Sequence, residues 1–187
     1  MGVVLAGGGS RRMGRPKGQL AHPGGGTLIA AALRRLGPWA RVRVVAGRGP
    51  GEVAPVGVPW LGDPPGLRGP LAGVAAAVRA FPAEYYLVLA VDMPAARPDR
   101  LVRTARRFPG RTVIGQTPDG AWQPLAGVYP AVHARRALVL LRRGERRARM
   151  WAGCGPLPPV PVRGPWWANI NTPADADRFL AGSGGSP

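Results

Sequence analysis

The chain has one lysine, one cysteine, two histidines and nine acidic residues among its 187 positions. The lone cysteine, Cys154, excludes an intramolecular disulfide and a cysteine-cluster metal site. The histidines, His22 and His133, are isolated, so a histidine relay has little basis and packing or surface roles are expected. No apolar run has the length of a membrane-spanning helix. The N-terminus lacks the charged region and apolar core of a signal peptide, so a cytoplasmic protein without a membrane partner is the expectation. The shortage of acid leaves a formal net charge of +17 at pH 7, which points to an anionic partner such as a nucleotide. The arginine pairs 34–35, 106–107, 135–136, 142–143 and 146–147 are dispersed along the chain, amid abundant alanine, glycine and proline. Dispersed pairs mark solvated helix faces in a chain of biased composition, so nucleic-acid binding is disfavoured.

Apolar segments alternate in kind along the chain. Val3–Leu5, Val42–Ala46, Val56–Leu61, Tyr85–Val91, Arg111–Ile114, Gln123–Tyr129 and Val160–Val162 read as strands or extended segments. Leu28–Leu36, Pro70–Ala80, Arg100–Phe108, Pro130–Leu141 and Glu145–Trp151 read as helices, and Thr172-Pro173 opens another. Thr27 and Thr172 are expected N-caps, with Asp175 at the reciprocal capping place. This alternation predicts an α/β fold with a largely parallel sheet. Residues 1–181 are expected to form one domain, and the glycine- and serine-rich 182–187 a disordered tail.

The organising stretch follows the first strand: Leu5-Ala6-Gly7-Gly8-Gly9-Ser10-Arg11-Arg12-Met13-Gly14-Arg15-Pro16-Lys17. Three glycines let the backbone approach a ligand, and successive N–H groups form an anion cradle. The dinucleotide fingerprint fails because Arg12 stands where its third glycine belongs. The P-loop fails because Arg15 follows Gly14 in place of lysine. Lys17 is the single lysine among 26 basic residues, and lysine is a compact charge on a flexible stem, able to follow a phosphate.

Ligands of parallel sheets bind beyond the carboxyl ends of the strands. Asp92 ends the most apolar strand, where a carboxylate can hold Mg²⁺ beside phosphates or serve as a turn former. Asp63 can accept hydrogen bonds from adjacent N–H groups of guanine, or shape the turn before Pro64-Pro65. Asn169 and Asn171 can bind a substrate, complete a metal shell or cap the turn.

The loop resembles the signature of nucleotidyltransferases of the molybdenum cofactor guanylyltransferase (MobA) type. Gly69-Pro70-Leu71-Ala72-Gly73, Ala90-Val91-Asp92-Met93-Pro94, Gln123 to Tyr129 and Asn169-Ile170-Asn171-Thr172-Pro173 resemble four later motifs in order. The resemblance implies a Rossmann-like three-layer domain of the nucleotide-diphospho-sugar transferase type, with a mostly parallel mixed sheet. It implies transfer of GMP from GTP to molybdopterin or molybdenum cofactor, releasing pyrophosphate, with Mg²⁺ as cofactor. Molybdenum cofactor biosynthesis and delivery proteins are implied as partners. Leu5, Ala6, Gly7 and Gly8 would contact the nucleotide, Lys17 its phosphates, Asp63 the base and Asp92 the metal. Lys17, Asp92 and Arg12 would be catalytic, and Asn169 and Asn171 would face the pterin. Related cytidylyltransferases usually carry Leu-Ala-Ala-Gly where Leu5-Ala6-Gly7-Gly8 stands, which favours guanine here. Asparagine often follows the second strand in the family; Gly47 stands there in this chain, so that nucleotide contact is not carried over.

Overall fold

The computed structural model describes residues 1–7, 16–47, 57–153, 155, 157–164, 166 and 169–182. Side-chain alternation on the strands sets the architecture. On β1 (Gly2–Leu5), Val4 enters one core cluster while Val3 and Leu5 enter the other. On β2 (Arg43–Ala46) Val45 parts from Val44 and Ala46 in the same way. On β4 (Tyr85–Ala90) Leu87 and Leu89 part from Tyr86 and Val88. A sheet buried on both faces needs strands that are largely apolar, and Val44–Ala46 and Tyr86–Ala90 are apolar at every position.

Helices α1 (Leu28–Leu36), α3 (Pro98–Arg107) and α7 (Pro173–Gly182) cover the first face. Helices α2 (Pro70–Ala80), α4 (Ala131–Ala134), α5 (Arg136–Arg142) and α6 (Ala148–Ala152) cover the second. The result is a three-layer α/β sandwich. Including β3 (Trp60–Leu61), β5 (Val113–Gln116), β6 (Trp122–Pro130) and β7 (Val160–Arg163), the strand order is β3-β2-β1-β4-β6-β5-β7. β6 runs antiparallel to both of its neighbours, and the other pairings are parallel.

Register levels the site-bearing ends. Leu5 pairs with Ala46 on one side and Ala90 on the other. Leu89 faces Ala126, so antiparallel β6 brings its beginning to the edge where the parallel strands end.

Several local expectations sharpen. Thr27 caps α1, its Oγ1 accepting from the Ala30 N–H at 3.2 Å. Helix α3 starts two residues earlier than the apolar pattern implies, because Pro98 suits a first helical position. The helix expected over Pro130–Leu141 divides into α4 and α5. The Trp151 indole donates to the His133 carbonyl at 3.1 Å, so a side chain takes an acceptor at the division. His133 itself is buried, 2.7 Å from Thr112 Oγ1, in a packing role. The extended segment expected over Val56–Leu61 narrows to the two residues of β3, with Val56 outside the described residues. An unexpected 3-10 turn forms at Lys17–Gln19. Among the described residues, no helix is long and apolar enough to cross a membrane.

Candidate active site

Leu5 and Ala6 are buried at the end of β1, where the Ala6 N–H donates to the Ala46 carbonyl at 2.9 Å. Gly7 follows, against the turn that ends β2. Gly47 in that turn has φ +82°, and a Cβ there would stand 2.8 Å from both N and Cα of Gly7. The two backbones touch, and a side chain is excluded by contact as well as by conformation. Gly8 and Arg12 lie outside the described residues.

Asp63 follows β3 and reaches the same place, its Oδ1 lying 3.8 Å from the position of a Gly47 Cβ. That oxygen is buried and has no hydrogen-bond partner among the described residues. Burial pushes the Asp63 carboxyl above the usual range, opposed by the Gly69 N–H and by the charge of Arg68. A buried acceptor without a donor is costly, and a ligand N–H would relieve it.

Across the strand ends, three expected residues from distant parts of the chain meet. Lys17 Nζ lies 3.2 Å from Asp92 Oδ2 and 2.9 Å from Asn171 Oδ1. Asp92 is placed by β4, whose last residue is Ala90. Asn171 is placed by the entry to α7, where Asp175 Oδ2 accepts from the N–H groups of Asn171 at 2.9 Å and Thr172 at 2.8 Å. Thr172 Oγ1 accepts in return from the Asp175 N–H at 3.2 Å, completing a reciprocal cap. The Asn171 N–H, followed by the Thr172 groups, holds the Asp175 carboxyl at about 2. The Ile170 N–H donates to the Asp92 carbonyl at 2.8 Å, tying this segment to the end of β4.

The carboxylate of Asp92 and the amide oxygen of Asn171 therefore converge on one cation, the Lys17 ammonium. Two hard oxygen donors fit Mg²⁺, which takes one or two carboxylates and fills its shell with water and substrate oxygens. Among the described residues no three His, Cys, Asp or Glu side chains cluster, so a closed all-protein cage is not what they offer.

Beside Asp92 opens a cavity of about 390 Å³, lined in part by Gln123, Leu125, Arg147, Arg149 and Asn169. The antiparallel course of β6 brings Gln123 and Leu125 there. Tyr129 Oη donates to the Pro124 carbonyl and fixes that stretch. Arg147 belongs to the turn before α6, and its guanidinium pairs with Glu145, Nε lying 2.9 Å from Oε1. Asn169 and Asn171 thus take different positions: Asn169 lines the cavity, and Asn171 holds Lys17.

Residues 2–154 match the MobA-like NTP transferase domain. The chain belongs to that family. A probable molybdenum cofactor guanylyltransferase of Rhodopirellula baltica is 32% identical, over 94% of this chain and 89% of that protein. The molybdenum cofactor guanylyltransferase of Sinorhizobium fredii is 35% identical, over 94% of this chain and 88% of that one. The solved structure of molybdopterin-guanine dinucleotide biosynthesis protein A from Archaeoglobus fulgidus superposes with a TM-score of 0.74. That likeness covers 98% of this chain and 99% of that one at 24% identity, and speaks for the fold. The NTP transferase match ends at residue 154, before Asn169 and Asn171, while the Rhodopirellula and Sinorhizobium relatives align over most of the chain.

For this MobA-like transferase, sequence reasoning missed Arg147 and Arg149 beside Asp92 and did not assign Gln123 to the cavity. Gln123 lies inside a recognised motif and could have been found. Arg147 and Arg149 are submerged in an arginine-rich background.

Proposed function

We propose that this chain transfers GMP from GTP to molybdopterin or its molybdenum-loaded form, releasing pyrophosphate and forming a guanine dinucleotide cofactor. The observation that carries the reading is the meeting of Lys17, Asp92 and Asn171 between the Gly7–Asp63 cleft and the arginine-bearing cavity. The names of the curated relatives support the choice of GTP and pterin.

In this reading, Leu5, Ala6, Gly7 and Gly8 form the nucleotide cleft. Asp63 Oδ1 accepts from the adjacent N–H groups of guanine and thereby loses its unpaired state. Lys17 turns from Asp92 to the phosphates, and Arg12 adds charge to the same end. Arg147, Arg149, Gln123 and Asn169 face the acceptor, the arginines drawn to its terminal phosphate. Asn171 orients the Lys17 ammonium from the other side.

The nucleophile, a phosphate oxygen, is already anionic at neutral pH, so no general base is needed. The protein aligns that oxygen with the α-phosphorus and neutralises charge. Mg²⁺ held by Asp92 with substrate oxygens would supply Lewis acidity at the α-phosphate. Lys17 and the loop N–H groups stabilise the charge that develops on the departing pyrophosphate. We place the reaction in the cytoplasm.

The test is incubation with molybdopterin, Mg²⁺ and each nucleoside triphosphate in turn, following pyrophosphate release and the dinucleotide product. GTP-dependent product that disappears on chelation of Mg²⁺ is expected. Turnover with CTP and not GTP would replace the guanylyl assignment with a cytidylyl one.

A further inference from the structure

We propose that Trp60 is a positioning residue for guanine discrimination, acting through the Gly47 peptide; the proposal rests on the GTP reading above. Its indole Nε1 donates to the Gly47 carbonyl at 3.0 Å, and the Gly47 N–H donates to the Leu61 carbonyl at 3.0 Å. Both backbone polar groups of Gly47, its N–H and its carbonyl, are therefore tied to β3. The Gly47 Cα side rests on Gly7, where there is no room for even a methyl group.

The strand that carries this arrangement is slight. β3 has two residues, at the edge of the sheet, and reaches β2 through the bonds Val45 N–H to Pro59 carbonyl and Gly47 N–H to Leu61 carbonyl. The Trp60 indole adds a side-chain link between the same two elements, and its ring packs partly buried against the core. Two residues beyond Leu61 the chain reaches Asp63 and its unpartnered Oδ1. Trp60 therefore sets where Asp63 stands relative to Gly7. Hydrogen bonds weaken steeply with misalignment, so a small drift of β3 would spoil base recognition. Lys17, Asp92 and Asn171 sit on other elements, so such a drift leaves their contacts intact.

Two glycines separate contact from conformation. Gly47 and Gly110 both have positive φ, +82° and +75°, but none of the described residues lies within 4 Å of a Cβ at Gly110. Gly110→Ala reports the cost of the backbone conformation alone. Gly47→Ala adds the collision with Gly7.

The experiment measures equilibrium binding of GTP and of ITP, which lacks the guanine 2-amino group, together with Tm, for the wild type and for Trp60→Phe, Gly47→Ala, Gly110→Ala and Asp63→Asn. Trp60→Phe is expected to reduce the GTP-over-ITP preference by about fivefold, the size of one hydrogen bond's effect on alignment. In turnover it should raise the KM for GTP more than it lowers kcat. Gly47→Ala is expected to weaken GTP binding by about tenfold or more, the scale on which a site rejects a poorly fitting partner. Gly110→Ala should lower Tm and leave binding unchanged. An unaltered GTP-to-ITP ratio in Trp60→Phe, whatever its Tm, overturns the proposal, as does Gly47→Ala binding GTP like Gly110→Ala. A wild type without GTP preference, or Asp63→Asn retaining it, would instead strike the base-recognition reading and remove the proposal with it.

Discussion

The two sides of Asp92 are built from different materials. On the β1–β2–β3 side, the candidate cleft is made of backbone: Gly7 on Gly47, with one carboxylate oxygen at its edge. On the β6–α6 side it is made of side chains, Gln123, Arg147 and Arg149 around an open cavity. Backbone surfaces have fixed shape and admit no added atom, which suits selection of one base. Long side chains adjust, which suits a charged acceptor of irregular outline. The proposed reactive centre lies on the seam, where Lys17 touches Asp92 and Asn171 at once.

If that division is right, the largest losses come from the seam and affect both sides. Asp92→Ala and Lys17→Ala are each expected to lower turnover by about a hundredfold or more, the scale for removing a preorganised charge stabiliser. Steady-state kinetics at saturating concentrations of both substrates checks this, and near-wild-type kcat in both variants would remove the mechanism.

Next come changes confined to one side. Arg147→Ala or Arg149→Ala should raise the KM for the pterin acceptor by about tenfold, as for loss of a bond from a charged donor, with the KM for GTP steady. Asp63→Asn should do the reverse, lowering kcat/KM for GTP by about tenfold or somewhat less and sparing the acceptor KM. A variant that moves both constants equally would erase the boundary drawn at Asp92.

The smallest effects are expected in the pH dependence of stability, and they have opposite signs. The Asp175 carboxyl is held at about 2 when folded, chiefly by the Asn171 N–H. Its stabilisation is present above the ordinary carboxylate range and is lost as pH falls toward 2. Asp175→Asn should flatten that acid limb of Tm against pH. Burial raises the Asp63 carboxyl, so its folded form holds the proton more tightly than its unfolded form. Stability from that group falls as pH rises from the ordinary value through the raised one, and Asp63→Asn should remove this decline. Parallel slopes in the two variants would contradict the environments described.

The same division governs what could be read from the sequence. Glycine runs, a carboxylate ending an apolar strand and the Thr172–Asp175 cap are local patterns whose physics acts within a few residues. The alternation of strands and helices likewise gives the layers, since each face must be covered. The division of α4 from α5 was not legible, because the Trp151 indole that takes the His133 carbonyl comes from 18 residues away. Nor was the bond from Trp60 to Gly47, which spans 13 residues and joins β3 to the turn that ends β2. Arg147 and Arg149 carry no local distinction from the arginines around them, and only the placement of α6 selects them. The asparagines were legible as a pair, yet their separate positions follow from the turn that binds Ile170 to the Asp92 carbonyl.

That last bond has a consequence for how the protein is made. Gly7, the Gly47 turn and Asp92 are made well before Ile170 and Asn171 emerge from the ribosome. Synthesis runs from the N-terminus, and early segments begin to fold before late ones exist. A nascent chain that has not yet delivered residues 170 and 171 has the strands of the candidate cleft but lacks both the amide oxygen that holds Lys17 and the backbone N–H that braces the end of β4. The proposed centre is thus completed by a segment translated well after its strands, and a product stalled or shortened before that segment lacks its brace.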